Sequence, residues 1–392
     1  MATPAHLRRI NQRRIIGTLL RFGAASRADL AKATGMSQPT AGKIVDELLA
    51  GGILEAVDAG EPSSNVGAMP RMGRPGQLLC LDRRRPRFLA IQLGVVHTRM
   101  AMLPVAVPER DNWAVQVPTA RNPQEWRRQV AKASEELVTS GIDAVLLSVP
   151  GVVDERSGKV LLCPNLRWAE AVNLAQLLGP MWNVPVVLVQ EIRALALGHL
   201  AVEPNSGDFL LVDFGDGVGG AAVLRGSLFE SSIPLSGELG HTPVLGNKRR
   251  CGCGAIGCVE TLVSRQGLLE SFAAEKGGVR SWAALVEHVK KEGVRPWLAA
   301  ALDAAAVTIV GAMNVVGVRR AVITGSLTEL PGAVIEYLSE AVIKGAMWAR
   351  FGEVVCHGAP RRRNAGLVSA GIDRVLLPEI NESVSAVSGA SV

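Results

Sequence analysis

Four side chains in one short stretch carry the donors of a metal site. His241 stands in "GELGHTPV", and Cys251, Cys253 and Cys258 follow in "CGCGAIGCVE", giving the spacing His-x9-Cys-x-Cys-x4-Cys. Imidazole nitrogen and thiolate sulfur are the ligands of tetrahedral zinc, and four of them close the coordination sphere, which marks a structural rather than a catalytic ion. Gly252, Gly254 and Gly257 interleave the cysteines and let the backbone wrap a small ion. A redox pair would use Cys-x-x-Cys, which this stretch lacks. Simple packing is a poor account of cysteines set among glycines.

A second set of residues with chemistry lies at the other end of the chain. The first 50 residues carry eight Lys/Arg against Asp29, Asp46 and Glu47, a net +5 out of +6 for all 392 residues. Ile10, Ile15, Leu19 and Phe22 recur at helical spacing. "SRADLAKATG" begins on Ser26 as an N-cap and stops at Gly35; "SQPTAGKIVDELLAGG" begins on Ser37, with Ile44, Val45, Leu48 and Leu49 on one face. Two short helices about a tight turn predict a helix-turn-helix, with Ser37, Gln38, Thr40 and Lys43 turned to double-stranded DNA. "ILEAV" and "GQLLCLD" predict strands, and the Gly/Pro/Ser-rich loop between them holds Arg71 and Arg74. Strand, basic loop and strand describe a wing whose arginines could enter a minor groove. The plainer reading is a small packing module, which does not explain the concentration of charge.

These sites need elements to hold them. From residue 82 onward, strand-like runs "RFLAIQLGV", "AVLLSVPG", "VPVVLVQ", "DFLLVDFG" and "AVITGS" alternate with helical stretches at Glu125 to Val138, "NLAQLLG", "GLLESFAAEK" and Pro296 to Val316. Such alternation predicts an α/β fold with mostly parallel strands, and its length suits two lobes about a cleft. "QLGVVHTRMAM" and "DFGDGVGGAAV" each follow a strand with a glycine turn, a weak echo of duplication. The expected division is a winged helix-turn-helix over 1–81, the two-lobed domain over 82–385 and a disordered tail over 386–392. "DRRRPR" (82–87) and "RRR" (361–363) read as solvated faces, the former at the domain junction. No uninterrupted apolar run approaches the ~20 residues a membrane helix needs, and the start has no signal-peptide core. The expected location is the cytoplasm, where disulfides are rare.

The motif "GELGHTPV…CGCGAIGCVE", with "SVPGVVD…GKVLLCPNLRW" and the order of elements, resembles the ROK family of repressors, open reading frames and kinases over nearly the whole chain. The resemblance implies an actin-like pair of lobes behind a winged helix. It also implies sugar contacts from Asn165, Glu191, Glu238, His241 and Glu260, with His241 ligating zinc through its other ring face. In the kinases of the family, ATP binds the same cleft. Their Asp-x-Gly-Gly-Thr turn corresponds to Gln92, Leu93, Gly94, Val95 and Val96, which removes a metal-binding charge and the small residues that admit phosphate. Their Gly-Thr-Gly turn reads Gly215-Asp216-Gly217, and a carboxylate ~4 Å from phosphate costs about 4 kcal/mol at an effective dielectric near 20. Their Asn-Asp pair, whose Asp is the catalytic base, reads Gln190-Glu191. A base displaced by one methylene can lose ~10²-fold in rate. The resemblance therefore implies a non-catalytic regulator, dimeric or tetrameric, that binds an operator and senses a sugar or sugar phosphate. The alternative is an active ATP-dependent sugar kinase with an appended DNA-binding domain and Glu191 as its base.

Overall fold

The computed structural model describes residues 4–57, 77–137, 141–231 and 236–378. Arg71 and Arg74, and the tail expected to be disordered, lie outside these residues.

The N-terminal unit comprises α1 (Pro4–Phe22), β1 (Ala25–Ser26), α2 (Arg27–Thr34), α3 (Gln38–Ala50), β2 (Leu54–Val57) and β3 (Leu78–Leu81). Its strands form a small antiparallel sheet in the order β1-β3-β2. Ser26 caps α2 in a full capping box with Asp29, and Gly35 ends that helix in the left-handed region at φ 71°. The side chain of Ser37 accepts from the Thr40 backbone N–H and so starts α3. Ile15, Ile16, Leu19, Leu30, Ile44, Val45 and Leu48 meet in its core. Phe22, which shares the helical spacing of Ile15 and Leu19, is the last residue of α1 and is 47% exposed.

Lobe I runs β4 (Phe88–Leu93), β5 (His97–Leu103), β6 (Val115–Pro118), α4 (Pro123–Ser134), β7 (Ala144–Val149), β8 (Val152–Asp154), β9 (Lys159–Leu162), α5 (Leu174–Trp182), β10 (Val186–Gln190) and α6 (Glu191–Val202). Lobe II runs β11 (Phe209–Phe214), β12 (Val218–Leu224), β13 (Ser227–Leu228), α7 (Glu260–Val263), α8 (Arg265–Glu275), α9 (Trp282–Glu292), α10 (Pro296–Val316), β14 (Arg320–Gly325), α11 (Gly332–Gly345), β15 (Val355–Gly358) and α12 (Arg363–Gly371). Their sheets have one topology, β10-β7-β4-β5-β6 and β13-β12-β11-β14-β15. In each, a three-strand meander opens the sheet and two parallel strands complete it. The expectation of mostly parallel pairing is thus corrected to an even mixture. The turns 94–96 and 215–217 are too short for a parallel crossover, which needs a dozen residues or more. Those same two turns are the echo seen in the sequence, and they occupy equivalent places in the two lobes.

The apolar runs become strands buried on both faces, as sheets covered by helices require: β4, β7 and β11 are buried throughout. α10 is long and apolar enough to span a membrane by composition, but Leu298, Leu302, Ile309 and Met313 are buried in the core of lobe II.

The lobes exchange helices. α6 leaves lobe I and packs Ile192, Leu195 and Ala196 on Phe209, Leu211 and Val322 of lobe II. α12 leaves lobe II and packs Leu367, Val368 and Ala370 among Phe88, Ala90, Ala144 and Leu146 of lobe I. Where these helices cross, a Cβ on Gly366 would lie 1.7 Å from the Ala194 carbonyl oxygen, and one on Gly198 would lie 1.8 Å from that of Arg362. Backbone cannot yield as a flexible side chain does. Gly366→Ala should therefore lower stability by about 3 kcal/mol or more, read as a lower midpoint in urea unfolding. Arg87, one of the expected solvated run, is instead buried. It donates to the Gly51 carbonyl at 2.6 Å and pairs with Asp143, joining the N-terminal unit to lobe I.

Candidate functional site

The metal loop forms between β13 and α7. His241 ends a short 3₁₀ turn, and antiparallel bridges Pro243–Cys258 and Arg250–Ile256 fold the cysteine segment back on itself. The donor atoms of His241, Cys251, Cys253 and Cys258 all lie within 4.8 Å of one another. Cys251 Sγ is 3.6 Å from His241 Nδ1, and Cys253 Sγ is 3.8 Å from Cys258 Sγ. A tetrahedron with bonds of ~2.3 Å has sulfur–sulfur edges of about 3.8 Å, which these two edges match, so the four donors could hold an ion. Gly257, at φ 90°, is required here: a Cβ would meet the Asn247 carbonyl oxygen at 2.9 Å. Arg249 braces the loop from outside, donating to the carbonyls of Thr261 at 2.7 Å and Gly267 at 3.1 Å. Burial pushes the Cys251 thiol up to about 12, so an ion binding there must displace a proton.

Because Nδ1 faces the cysteines, the other ring nitrogen of His241 points toward the cleft, with Nε2 3.6 Å from Glu238 Oε2. Glu238 is pushed above the ordinary carboxylate range by burial and by neighbouring Glu260, against the pull of His241. Glu260, the first residue of α7, accepts the Val218 N–H at 2.9 Å, and its other oxygen is 3.7 Å from Cys251 Sγ. Glu191 opens α6 and accepts from Gln92 Nε2 at 3.2 Å and from Arg363. Gln190 is buried and donates its side-chain amide to the Gly151 carbonyl at 2.9 Å. Asn165 is exposed in the loop after β9. The structure thus brings Asn165, Glu191, Glu238, His241 and Glu260 to the lining of one cavity of ≈ 570 Å³. Polyhydroxyl molecules are read by such carboxylate, amide and imidazole groups, which pair with hydroxyls as acceptors or donors.

The same cavity is also lined by Val95, Val96, Asp213, Gly215, Asp216, Arg265, Arg361 and others. Arg361 and Arg363 correct the reading of 361–363 as a solvated face. Arg361 donates Nε to Asp213 Oδ1 at 2.7 Å and Nη2 to Oδ2 at 2.8 Å. Thr324 adds its hydroxyl to the same carboxylate at 2.7 Å. Burial pushes Asp213 up, but Arg361 and these hydrogen bonds outweigh it and hold the group below the usual carboxylate range. Arg363, with only 3% of its side chain exposed, bonds Glu191 and reaches Asp111 Oδ2 at 3.3 Å. Its neighbour Arg362 pairs with Glu203 at 2.7 Å. The reason is geometric: the segment leading into α12 meets α6, β11 and the loop at Asp111, so each of the three guanidinium groups finds a carboxylate.

Arg361 also takes up space beside two glycine turns of the cavity. Its Nη2 lies 2.7 Å from where a Cβ would stand on either Gly215 or Gly325. The guanidinium therefore occupies the space that these two bare turns leave open. Asp216 lines the same space, its acid form favoured by burial and by Glu191.

On the N-terminal unit, Ser37, Gln38, Thr40 and Lys43 are all exposed at the start of α3. Ser37 and Thr40 share a hydroxyl–hydroxyl bond of 2.8 Å, so both are held in one geometry by the cap. The N-terminal end of a helix carries partial positive charge, which suits a phosphate.

Two five-stranded lobes of one topology, exchanging helices about a polar cleft, define the actin-like class of α/β folds. The chain belongs to the ROK family, whose sequence model matches residues 88–370. It is 27% identical over 372 residues to the xylose repressor of Caldicellulosiruptor bescii, covering 88% of this chain and 90% of that protein. It is 22% identical to the xylose repressor of Bacillus subtilis strain 168, over 70% of this chain and 71% of that one. An N-acetylmannosamine kinase of Escherichia coli O157:H7 is 26% identical, over 48% of this chain and 65% of the kinase. Among solved structures, a ROK family transcriptional regulator described as a homologue of the E. coli MLC protein superposes with a TM-score of 0.69. That match has 20% identity and covers 95% of this chain and 98% of the regulator. A ROK glucokinase from Streptomyces griseus, solved with glucose and AMPPNP, gives 0.60 at 18% identity, covering 72% of this chain and 97% of that one.

Proposed function

We propose that the protein is a sugar-responsive transcriptional repressor: the N-terminal unit binds an operator in double-stranded DNA, and the cleft senses a sugar or sugar phosphate without phosphorylating it. One observation carries the reading. The cavity that Asn165, Glu191, Glu238, His241 and Glu260 line also holds Arg361, locked to Asp213 and filling the space over Gly215 and Gly325, where the family resemblance would put phosphate. Phosphoryl transfer needs an open cradle for the phosphates and oxygen ligands for Mg²⁺. Gln92 supplies no charge for that metal, and Val95 and Val96 carry side chains where backbone would have to approach phosphate.

In this account zinc in the His241–Cys251–Cys253–Cys258 loop is structural and fixes the segment that carries Glu238 and Glu260. Gln38, Thr40 and Lys43 at the start of α3, with Arg71 and Arg74 between β2 and β3, contact DNA. Two such units in a homodimer or homotetramer read paired half-sites. Regulation requires the sugar to bind the DNA-competent and DNA-incompetent arrangements with different affinity. Closure of lobes that exchange α6 and α12 provides the two arrangements, and Arg87 and α1 connect lobe I to the DNA-binding unit. A repressor of this kind acts in the cytoplasm.

The xylose repressors among the relatives support this reading, and the kinases make the alternative testable. A labelled fragment of the upstream region should be retained by the full-length protein and released by at least one pentose, hexose or sugar phosphate. The same preparation with Mg-ATP and that panel should form no ADP above the protein-free control. Release that is indifferent to every sugar the protein binds would overturn the sensing role. ADP formation abolished by Glu191→Ala would establish the kinase instead.

A further inference from the structure

A second cluster of metal-type donors lies away from the cleft, at the far end of α6. His199 sits on the last turn of that helix, Glu203 follows it, and His357 comes from β15, the outer strand of the lobe II sheet. Their donor atoms lie within 4.8 Å of one another. His199 is 1% exposed, and neither ring nitrogen has a hydrogen-bond partner among the described residues. His357 Nδ1 is likewise buried without one. Imidazole always carries at least one polar nitrogen needing a partner, so two such rings facing a carboxylate in one place call for a shared ligand.

Packing does not supply it. His199 stands edge-on to Phe209, with centroids 4.9 Å apart, and its ring is 6.3 Å from that of His357. His199 Nε2 is 3.8 Å from Glu203 Oε2, too long for a hydrogen bond. Two donors on a tetrahedral ion with bonds of ~2.1 Å stand about 3.4 Å apart, so donor atoms within 4.8 Å of one another need close by about 1.4 Å at most. The other oxygen of Glu203 accepts from Arg362 at 2.7 Å, which orients the carboxylate with its free oxygen toward the histidines. Ligating carboxylates are commonly held in this way by a partner outside the coordination sphere. Burial also keeps both imidazoles neutral, with His199 lowered to about 4, and neutral imidazole is the form that ligates.

We propose that His199, Glu203 and His357 form a second metal site, for a divalent transition ion of the zinc, cobalt or nickel type. Two imidazoles and one carboxylate, without sulfur, select such ions over calcium or magnesium, which take oxygen. The bound ion ties α6 to β15. Eight residues along α6, about 12 Å, separate His199 from Glu191 in the cleft. His357 precedes Arg361 by four residues. The ion therefore clamps the two segments that carry cleft side chains into position, and it does so whether or not the cleft senses a sugar.

The test uses untagged full-length protein already loaded with zinc in the cysteine loop, dialysed against Co²⁺. One additional cobalt per chain is expected, with d–d absorption and no thiolate-to-cobalt charge-transfer band, and with zinc content unchanged. His357→Gln and Glu203→Gln should each weaken the additional cobalt at least tenfold while retaining zinc. Glu203 is partly exposed, so its variant decides the matter should the histidine variant not fold. No cobalt beyond the zinc, cobalt with a thiolate band, or an additional equivalent that persists in Glu203→Gln would each overturn the assignment.

Discussion

Cys253→Ser is expected to yield a chain without zinc, a melting temperature lower by roughly 10 °C and a cleft that no longer binds its sugar. Serine nearly matches cysteine in volume, and Cys253 is only half-buried, so the swap without a metal would cost under about 1 kcal/mol. With a metal the scale changes. Structural zinc contributes on the order of 10 kcal/mol or more in small domains, comparable to the whole stability of a protein. Even a loss of about 4 kcal/mol, partly absorbed by local unfolding, moves the midpoint by that ~10 °C in a unit of this size. The loop is coupled to the cleft through short links. His241 offers one nitrogen to Cys251 and the other toward Glu238, while Glu260, which follows Cys258 closely in the chain, holds the Val218 N–H. Loosening the cysteines should therefore displace three side chains of the cavity lining together, Glu238, His241 and Glu260. Glu260→Gln separates the effects: it should keep metal and melting temperature while weakening sugar binding about tenfold or more. Metal content and melting temperature that match the parent in Cys253→Ser would show that the loop holds no ion.

How much of this was legible in the chain follows from how local each feature is. The gathering of the four donor side chains was readable because they fall within 18 residues, from His241 to Cys258. Both N-terminal caps were readable for the same reason: Ser26 with Asp29 and Ser37 with Thr40 each act over three residues. The runs that became β4, β7 and β11 were legible because strands buried on both faces must be apolar throughout. What escaped depends on contacts distant in sequence. Arg361 meets Asp213 across 148 residues, Arg362 meets Glu203 across 159, and Arg363 meets Glu191 across 172. Nothing periodic marks such pairs, and three consecutive arginines look like a solvated face. A signal did exist in "FLLVDF": a single acid in an otherwise buried strand must find a cation or hydrogen bonds. α6 escaped for a different reason. It is apolar on nearly every side because it packs on both lobes, which removes the one-sided stripe that reveals a surface helix.

Arg361→Ala should destabilise the protein by about 3–5 kcal/mol at neutral pH, the cost of leaving a buried carboxylate without its partner. Only 12% of the Asp213 side chain is exposed, so solvent screens little of that cost. The pH dependence then changes sign. In the parent, Arg361 holds Asp213 below its ordinary value, so the pair's contribution is fully present above the unfolded pKa, ~3.9, and is lost only as pH falls through the lower folded value. Without the guanidinium, burial becomes the dominant influence and pushes Asp213 up. The variant's deficit should accordingly shrink as pH falls from 7 toward 5, where the buried acid can take a proton. Arg361→Ala/Asp213→Leu removes the unpaired charge together with the pair, and should recover most of the loss. Urea unfolding at pH 7 and pH 5 reads all three outcomes, and a deficit independent of pH would show that the pair is not what stabilises this wall of the cleft. The double variant also tests the plug directly. It opens the space over Gly215 and Gly325 but returns neither a charged residue at Gln92 nor bare turns at Val95 and Val96, so it should admit nucleotide weakly and still form no ADP.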